Sequence, residues 1–381
     1  MTQYGPWRRR ERPVLEPMKE GYPEALLQRM LETYSPSGKE GEISSLLAEE
    51  LRKLGLNVSI DEVGNVEGRA GSGFPKVLLC GHMDTVEGFL KVKRKGKVIF
   101  GRGAVDAKAP LAALICASSE YLEGGGKGTL VVLAVVDEEG KSKGMKHFTS
   151  RCNESFDYAI FGEPSGTYAV TVGYKGRLVM RVRCQTAPGH ASAPQLFENA
   201  IYVAMRVVER LRKKEAEWSQ GGDVYSSPTL CVTLIDGGRQ DNTVPDCCEL
   251  VVDVRIPWSN TTSAVKDELR DTIETARICE EKAKIEYEFI DETAPFQEDP
   301  DSRLVHAFKD AIKEQSGREC RLLRKTGTSD VNDFVSRNKT SAVVYGPGNS
   351  KLDHTPLENV SIKEFYDSIE ILKKVMGKMS V

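Results

Sequence analysis

Histidine and carboxylate residues recur at separate points of this sequence, each directly after a short apolar run. The runs at 77–80, 130–136, 158–161 and 341–345 lead respectively into His82 and Asp84, into Glu138 and Glu139, into Glu163, and into Asp353 and His354. Imidazole nitrogens and carboxylate oxygens together form a ligand set that suits Zn²⁺ or a related divalent ion. His82 alone would more often be structural, so it is the recurrence that predicts a metal site.

A glycine-rich segment between the first two of these runs supplies another carboxylate. Residues 101–108 read GRGAVDAK and run into a predicted helix. An anion-binding turn is the simple alternative, but the segment lacks the GxxxxGKS or GxxxxGKT order of a phosphate loop. Asp106 is better interpreted as a carboxylate that bridges two metal ions.

The elements that would position these residues follow from the apolar pattern. Helical patterns at 21–33, 40–54 and 109–122 alternate with the early apolar runs, which indicates a parallel sheet in an α/β fold. Open α/β sheets bind ligands at the carboxyl ends of their strands. We therefore expect the candidate ligands to converge at that edge.

The pattern changes after Gly176. Residues 178–185, and in part 249–256, alternate apolar with polar side chains, and long charged helices are predicted at 197–215 and 261–282. Such alternation is typical of an antiparallel sheet with one solvated or covered face. We predict an inserted α+β domain at 177–292, within a metal-binding domain formed by 18–176 and 293–381.

Composition excludes several classes of function. The net charge of -3 gives no electrostatic case for binding nucleic acid. The longest strictly apolar run, 130–136, is far shorter than the roughly 20 residues of a membrane-spanning helix, so no membrane partner is expected. A chain of 381 residues with 40% hydrophobic residues should instead fold into two globular domains.

Cysteine usage and the N-terminus bear on the compartment. Nine cysteines are scattered without a CxxC pair, and several lie in apolar runs, so neither a disulfide scaffold nor a thiolate zinc site is expected. Reduced thiols of this kind indicate a cytoplasmic protein. Residues 1–17 contain four arginines with no apolar stretch after them, so we expect a flexible basic arm and not a secretory signal.

The sequence resembles a known family, the M20 metallopeptidases and deacylases. The resemblance covers nearly the whole chain. The family includes acetylornithine deacetylase, succinyl-diaminopimelate desuccinylase and glutamate carboxypeptidase. The matching motifs are GHMDTV at 81–86, GRGAVDAK at 101–108, DEEG at 137–140, GEP at 162–164, GH at 189–190 and DHTP at 353–356.

The resemblance implies a zinc-peptidase-like domain that holds two Zn²⁺ or Co²⁺ ions per subunit. Its implied ligands are His82 and Glu163 for one ion and Glu139 and His354 for the other, with Asp106 between them. Asp84 would hold the second nitrogen of the His82 imidazole and so fix its tautomer. The family also has a cis peptide after the bridging aspartate, here between Asp106 and Ala107.

The implied chemistry is hydrolysis of an amide by a metal-activated water. Two ions lower the pKa of water from ~15.7 to about 7, and Glu138 takes its proton and passes it to the leaving amine. His190 of a second subunit would stabilise the oxyanion, which makes the inserted domain a dimerisation or lid domain of a homodimer. Taken alone, His190 would be interpreted as a plain surface histidine.

The resemblance also assigns substrate contacts. Asn242 and Arg255 match positions that hold a substrate carboxylate, although an arginine on a strand is more often just solvated. Gly327, Thr328 and Ser329 match a substrate-contacting segment. Tyr174 and Lys175 stand where relatives carry an arginine before a second basic residue, so succinylated substrates should be recognised poorly. These contact residues are Tyr174, Lys175, Asn242, Arg255, Gly327, Thr328 and Ser329.

Within the family, the segments GRGAVDAKAPLAA, GYKGR, KTGTSDVNDF and KLDHTP look most like those of LysW-lysine and LysW-ornithine hydrolases. Such enzymes release lysine or ornithine from a small acidic amino-group carrier protein, in lysine and arginine biosynthesis. Lysine-rich segments at 91–97 and 141–146 would then rim the site, unless they are simply solvated. Acetylornithine deacetylase, succinyl-diaminopimelate desuccinylase and dipeptidase activities are the alternatives.

A different class of hypothesis is a binding protein that has kept the fold and lost the reaction. Such a relative would usually show a broken ligand set. All five implied ligands and Glu138 are present here, which favours an enzyme.

Overall fold

A computed structural model describes residues 18–220 and 222–380 of the chain, and these residues form two compact units. The first unit contains the described chain up to Val170, then Asp299–Leu322, and the described chain from Thr340 onward. The second unit contains Thr171–Glu298 and Leu323–Lys339, apart from residue 221. The basic arm predicted at 1–17 lies outside the described residues.

The helices and strands follow one another in this order. Up to residue 161 they are α1 (Tyr22–Glu32), α2 (Gly41–Lys53), β1 (Asn57–Ile60), β2 (Val66–Ser72), β3 (Lys76–His82), β4 (Lys93–Lys95), β5 (Val98–Phe100), α3 (Lys108–Glu123), β6 (Gly128–Val135), α4 (Lys143–Arg151) and β7 (Tyr158–Phe161). Next come β8 (Ala169–Tyr174), β9 (Gly176–Gln185), β10 (Gly189–His190), α5 (Ala200–Trp218), β11 (Thr229–Gly237), β12 (Thr243–Val244), β13 (Cys247–Ile256), α6 (Thr262–Cys279), β14 (Lys284–Thr293) and β15 (Phe296–Gln297). The chain ends with α7 (Arg303–Ser316), β16 (Arg321–Lys325), α8 (Asp330–Arg337), β17 (Ser341–Val344), β18 (Asn359–Ser361) and α9 (Ile362–Met379).

The sheet of the first unit places the predicted ligand-bearing strands side by side. β3 pairs in parallel with β6 on one side and with β7 on the other, and β17 pairs in parallel with β7. β2 pairs antiparallel with β6, and β1 pairs antiparallel with β2. The α/β fold with a mostly parallel central sheet is therefore confirmed, and the carboxyl ends of four parallel strands lie at one edge.

Burial explains why these strands read as continuous apolar runs. Almost every residue of β3 and β6 is buried, which is expected where helices cover both faces of a parallel sheet. α3 packs against both strands and is buried along nearly its whole length. It begins directly after Asp106 and Ala107, so the core that buries α3 also anchors one end of the glycine-rich loop.

The second unit has an antiparallel sheet in the order β11-β13-β9-β14. Alternate residues of β9, such as Leu178, Met180 and Val182, are buried in a core with apolar residues of α5 and α6. Between them, Arg181 lies on the other face and forms ion pairs with carboxylates of β13 and β14. This alternation is the pattern that predicted an α+β insert.

The compact units and the predicted domains differ at their boundaries. The second unit includes 171–176, 293–298 and 323–339, which the sequence pattern predicted to lie in the first domain. β8 pairs with β15 through Tyr174 and Phe296. The Asn332 side chain donates to the main-chain oxygens of Lys175 at 3.2 Å and Ala294 at 2.9 Å. These hydrogen bonds join 323–339 to the second unit.

Over the described residues, no helix is both long enough and apolar enough to cross a membrane.

Candidate metal centre

His82, the last residue of β3, is buried and held by one of its two ring nitrogens. Its Nδ1 lies 3.0 Å from the main-chain oxygen of Asp84 and 3.4 Å from the Asp84 carboxylate. Its Nε2 lies 3.0 Å from Oδ1 of Asp106. With Nδ1 engaged in this way, Nε2 is the nitrogen presented to a metal ion.

Asp84 positions His82 and also the segment that contains Glu138 and Glu139. Its Oδ1 accepts a hydrogen bond from the main-chain N–H of Glu138 at 3.1 Å, and its Oδ2 accepts one from that of Glu139 at 3.1 Å. The Ser37 hydroxyl donates to Oδ2 at 2.7 Å. Burial alone would raise the pKa of Asp84, but the hydrogen bonds from His82 and Ser37 hold it below its usual value. One carboxylate thus fixes the ends of two neighbouring strands.

Asp106 stands between two histidines. Its Oδ1 lies 3.0 Å from Nε2 of His82, and its Oδ2 lies 3.2 Å from Nε2 of His354. The peptide bond from Asp106 to Ala107 is cis, as the resemblance implied. A carboxylate whose two oxygens face two different imidazoles has the arrangement required of a bridge between two cations.

His354 and Glu139 complete the other side of the centre. Nε2 of His354 lies 2.9 Å from Oε1 of Glu139. Burial, and then the charge of Asp106, raise the pKa of Glu139 to about 7. The hydrogen bond to Asp106 is the main cause that raises the pKa of His354 to about 9. The negative charge of Asp106 thus contributes to both shifts, although burial is the larger cause for Glu139. A divalent cation would neutralise such charge.

Two further carboxylates lie at the same strand ends. Ligand atoms of His82, Glu138 and Glu163 lie within 4.8 Å of one another, and so do those of His82, Asp106 and Glu139. Nε2 of His82 is 3.9 Å from Oε1 of Glu163. The structure therefore brings together all five implied ligands. Glu138, to which the resemblance gives the role of a base, belongs to one of these groups. The donor set fits divalent cations.

His190 and Asn242 lie beside each other in the second unit. β10 pairs with β12 so that His190 is opposite Thr243, and the main-chain N–H of Ala191 donates to the oxygen of Asn242 at 2.9 Å. The His190 side chain is exposed, and its Nδ1 lies 2.8 Å from the Ser192 hydroxyl. That contact leaves Nε2 of His190 as the nitrogen that could meet a substrate.

Lys175 and Arg255 have protein partners. Lys175 is fully buried, and its Nζ donates to the main-chain oxygen of Ser227 at 2.7 Å. Burial lowers the pKa of Lys175, and the charge of Arg255 lowers it further. Nε of Arg255 donates to Asp253 at 2.7 Å. Tyr174 is also buried. The structure thus gives Lys175 and Arg255 structural contacts in addition to the substrate roles that the resemblance implied.

The segment from Gly327 to Ser329 leads into α8. Ser329 is buried and forms a capping box with Asn332, whose side chain accepts from the Ser329 main-chain N–H at 3.0 Å. Gly327 and Thr328 are half-buried. Because Asn332 also bonds the main-chain oxygen of Lys175, this segment is tied to the end of β8.

Sequence reasoning missed two buried charges that hold the glycine-rich loop. The ammonium group of Lys108 donates to the main-chain oxygens of Met30 at 3.0 Å and Thr33 at 2.7 Å. Glu358 is 1% exposed and accepts hydrogen bonds from the loop itself. Neither residue falls in a spacing that distinguishes it from a solvated surface charge.

Known proteins show the same sequence pattern and the same fold. The family described as peptidase family M20/M25/M40 matches residues 78–378. A LysW-lysine/LysW-ornithine hydrolase from Sulfurisphaera tokodaii is 35% identical over 341 residues, which cover 90% of this chain and 91% of that protein. The matched family and the converging ligand set agree with each other.

Solved structures show the fold. A tripeptidase from Staphylococcus aureus superposes with a TM-score of 0.79 at 21% identity, covering 95% of this chain and 99% of that one. An M20 family metallo-carboxypeptidase from Sulfolobus solfataricus gives a TM-score of 0.78 at 19% identity, covering 95% and 100%. Since the family match extends over most of the chain, this protein belongs to peptidase family M20/M25/M40 and is a metal-dependent amide hydrolase.

Proposed function

We propose that this chain is a di-zinc amidohydrolase that releases lysine or ornithine from an acidic, LysW-like amino-group carrier protein. The observation that carries the proposal is the position of Asp106, whose two carboxylate oxygens face two different histidines. The choice of substrate is supported by the 35% identity to a LysW-lysine/LysW-ornithine hydrolase. The reaction would then be a step of lysine or arginine biosynthesis.

The proposed ligands divide into two sets that share Asp106. His82 and Glu163 would hold one Zn²⁺, and Glu139 and His354 would hold the other, with Co²⁺ as a possible replacement. When bound, such ions lower the pKa of a coordinated water and polarise the carbonyl group of the amide.

The chain's own groups would move the protons. Glu138 accepts a proton from the water whose oxygen attacks the amide carbon, and it returns that proton to the amine nitrogen as the C–N bond breaks. Asp84 keeps Nδ1 of His82 engaged throughout, so that Nε2 stays directed at the metal site. His190 of a second copy would donate a hydrogen bond to the oxygen that carries the developing negative charge.

We propose that the second copy pairs through the second unit. Among the described residues, β11 pairs with β13 on one side only and so presents an open edge. Leu234 and Ile235 of β11 are 64% and 59% exposed, and Tyr202 and Met205 of α5 are 60% and 52% exposed. Apolar side chains beside an open strand edge are typical of an interface. A homodimer would cover them.

The carrier protein is proposed to meet a basic surface on the first unit. Lys91, Lys93 and Lys97 are exposed on and beside the hairpin of β4 and β5. β5 leads directly into the loop that carries Asp106, and it pairs with β18, which begins five residues after His354. The hairpin is therefore connected to two ligand segments. An acidic carrier would be attracted to these lysines.

The compartment proposed for this reaction is the cytoplasm. All nine cysteines fall within the described residues, and none of them forms a disulfide. Thiols such as Cys80 and Cys116 are buried in the core of the first unit, where they pack as small apolar side chains. Reduced cysteines in this number suit a reducing compartment.

The test compares a carrier-linked lysine with N-acetylornithine. Changing Lys91, Lys93 and Lys97 together to Glu should lower kcat/KM for the carrier substrate. Exposed ion pairs contribute about 0.2–1 kcal/mol each, so the loss of three pairs should lower kcat/KM by about 3- to 150-fold. The carrier reaction should also weaken as salt rises, since screening shortens to ~8 Å at physiological ionic strength. Hydrolysis of N-acetylornithine should change less than about twofold in either case.

A matched control makes the same change of charge elsewhere. Lys213, Lys282 and Lys284 are exposed on the second unit, and their change to Glu should leave both reactions unaltered. If N-acetylornithine has the higher kcat/KM and the hairpin changes alter neither reaction, the carrier assignment is wrong. Membership of the family and amide hydrolysis would still stand.

A further inference from the structure

Glu358 binds the loop that carries Asp106. It is 1% exposed, and its Oε1 accepts three main-chain hydrogen bonds, from Gly103 at 2.9 Å, Val105 at 3.0 Å and Asp106 at 3.0 Å. Three N–H groups that point at one oxygen form an anion-binding concavity. The path of the loop up to Asp106 is therefore shaped around this carboxylate.

The other oxygen of Glu358 binds Arg102. Nη1 of Arg102 lies 2.8 Å from Oε2 of Glu358, and both side chains are buried. The same guanidinium donates to the main-chain oxygen of Gly88 at 3.1 Å and to that of Thr355 at 3.4 Å. Thr355 directly follows His354, and Gly88 lies in the segment that begins at His82. The pair thus connects three ligand-bearing segments.

An uncharged side chain of the same shape would not support this arrangement. Glutamine keeps one acceptor oxygen, but its NH₂ group would face either the three main-chain N–H groups or the guanidinium of Arg102. In both orientations a buried N–H donor faces the NH₂ group and has no acceptor there, and the buried guanidinium of Arg102 loses its negatively charged partner. The loop would then have to move, and Asp106 would move with it.

We infer that Glu358 is a positioning residue for the metal centre. Its carboxylate, with Arg102, holds the loop so that each oxygen of Asp106 faces a different histidine. The inference rests on the ligand set given under the proposed function, but it does not depend on which amide is hydrolysed.

Glu50 supplies a matched control. It is also 1% exposed in the first unit, and its carboxylate accepts from Arg29 at 2.7 Å, Tyr22 at 2.8 Å and Lys53 at 2.9 Å. These partners lie on α1 and α2 and not on a ligand loop. Glu50→Gln removes a buried, arginine-paired carboxylate without touching the metal centre, so it separates general destabilisation from positioning.

The experiment titrates metal-free protein with Zn²⁺ against a competing chelator, and with Co²⁺ followed by visible absorption. Glu358→Gln should weaken binding of at least one Zn²⁺ by about 10- to 100-fold, the usual range for groups that orient metal ligands, and should change the Co²⁺ spectrum. Glu358→Ala should weaken it further, so that glutamine gives partial rescue. Glu50→Gln should leave affinity within about twofold of wild type.

Each outcome decides one of two questions. A wild-type protein that binds fewer than two ions would overturn the ligand set and, with it, the role of Glu358. Two ions bound equally tightly by wild type and Glu358→Gln, with the same Co²⁺ spectrum, would overturn the role of Glu358 alone. Equal losses in Glu358→Gln and Glu50→Gln would mean general destabilisation and would also overturn it. If Glu358→Ala does not fold, the glutamine variant carries the test.

Discussion

Asp84→Asn should damage both the fold of the first unit and its metal centre. The wild-type carboxylate accepts hydrogen bonds from the main-chain N–H groups of Glu138 and Glu139, one on each oxygen, and a third from the Ser37 hydroxyl. Nδ1 of His82 lies a little farther away, 3.4 Å from Oδ1. In asparagine one oxygen becomes an NH₂ group. Whichever way the amide turns, one main-chain N–H of the Glu138–Glu139 segment faces a donor and stays unsatisfied.

The magnitude follows from these contacts. Leaving one buried N–H unsatisfied costs about 1–3 kcal/mol, and the change from a charged to a neutral acceptor weakens each of two remaining bonds by about 1 kcal/mol. We therefore expect the free energy of unfolding of the metal-free protein to fall by about 3–5 kcal/mol. If about half of this free-energy loss instead appears as a displacement of Glu138 and Glu139 from the metal centre, kcat/KM should fall about 10- to 100-fold even with saturating Zn²⁺.

The assay combines urea unfolding of the metal-free proteins with steady-state kinetics. Equal m-values would show that the loss is one of native stability. Ser37→Ala is the control, because it removes one donor but keeps the carboxylate, and it should cost about 1–2 kcal/mol. If Asp84→Asn unfolds no more easily than Ser37→Ala and keeps kcat/KM within about twofold of wild type, Asp84 does not hold His82 and the Glu138–Glu139 segment in place.

Two further predictions concern the dimer and the pH dependence of stability. Glu138→Ala and His190→Ala proteins should each be nearly inactive. Mixed dimers of the two should regain activity, because one of the two sites would pair an intact Glu138 with an intact His190. Mixed dimers that are shown to form but stay inactive would contradict a site shared between subunits. Burial opposes ionisation of Glu50, but its hydrogen bonds from Lys53, Arg29 and Tyr22 leave its folded-state pKa lowered. The unfolded chain therefore binds the proton more readily than the folded chain. The free energy of unfolding lost in Glu50→Gln should be greatest above the unfolded pKa of about 4.3, and this loss should disappear as pH falls through the folded pKa. Denaturant unfolding at a series of pH values measures it.

The sequence predicted the parallel sheet because its strands are buried on both faces. Such strands read as unbroken apolar runs, and the predicted bounds differ from β3, β6, β7 and β17 by at most two residues at either end. The carboxyl ends of parallel neighbours meet at one edge, so residues such as His82 and Glu163 could be placed together before any contact was known.

The parts that escaped prediction depend on contacts between distant residues. Arg102 and Glu358 are 256 positions apart, and neither spacing nor periodicity relates them. Glu358 lies between Leu357, which is 65% exposed, and the start of β18, where a glutamate would usually be solvated. The membership of 323–339 in the second unit has the same origin, because it depends on hydrogen bonds from Asn332.

Two kinds of carboxylate lie at or beside the candidate metal centre, and the difference between them supports the proposed pair of divalent ions. Asp84 and Glu358 are surrounded by N–H and hydroxyl donors of the chain, so protein groups satisfy their charge. Four partly buried carboxylates converge instead on the two histidines: Asp106, Glu138, Glu139 and Glu163. Four carboxylates carry a charge of about -4 when ionised, and two ions such as Zn²⁺ would balance it. A single ion would leave two negative charges in a partly buried site, so the charge of this centre favours a pair of ions.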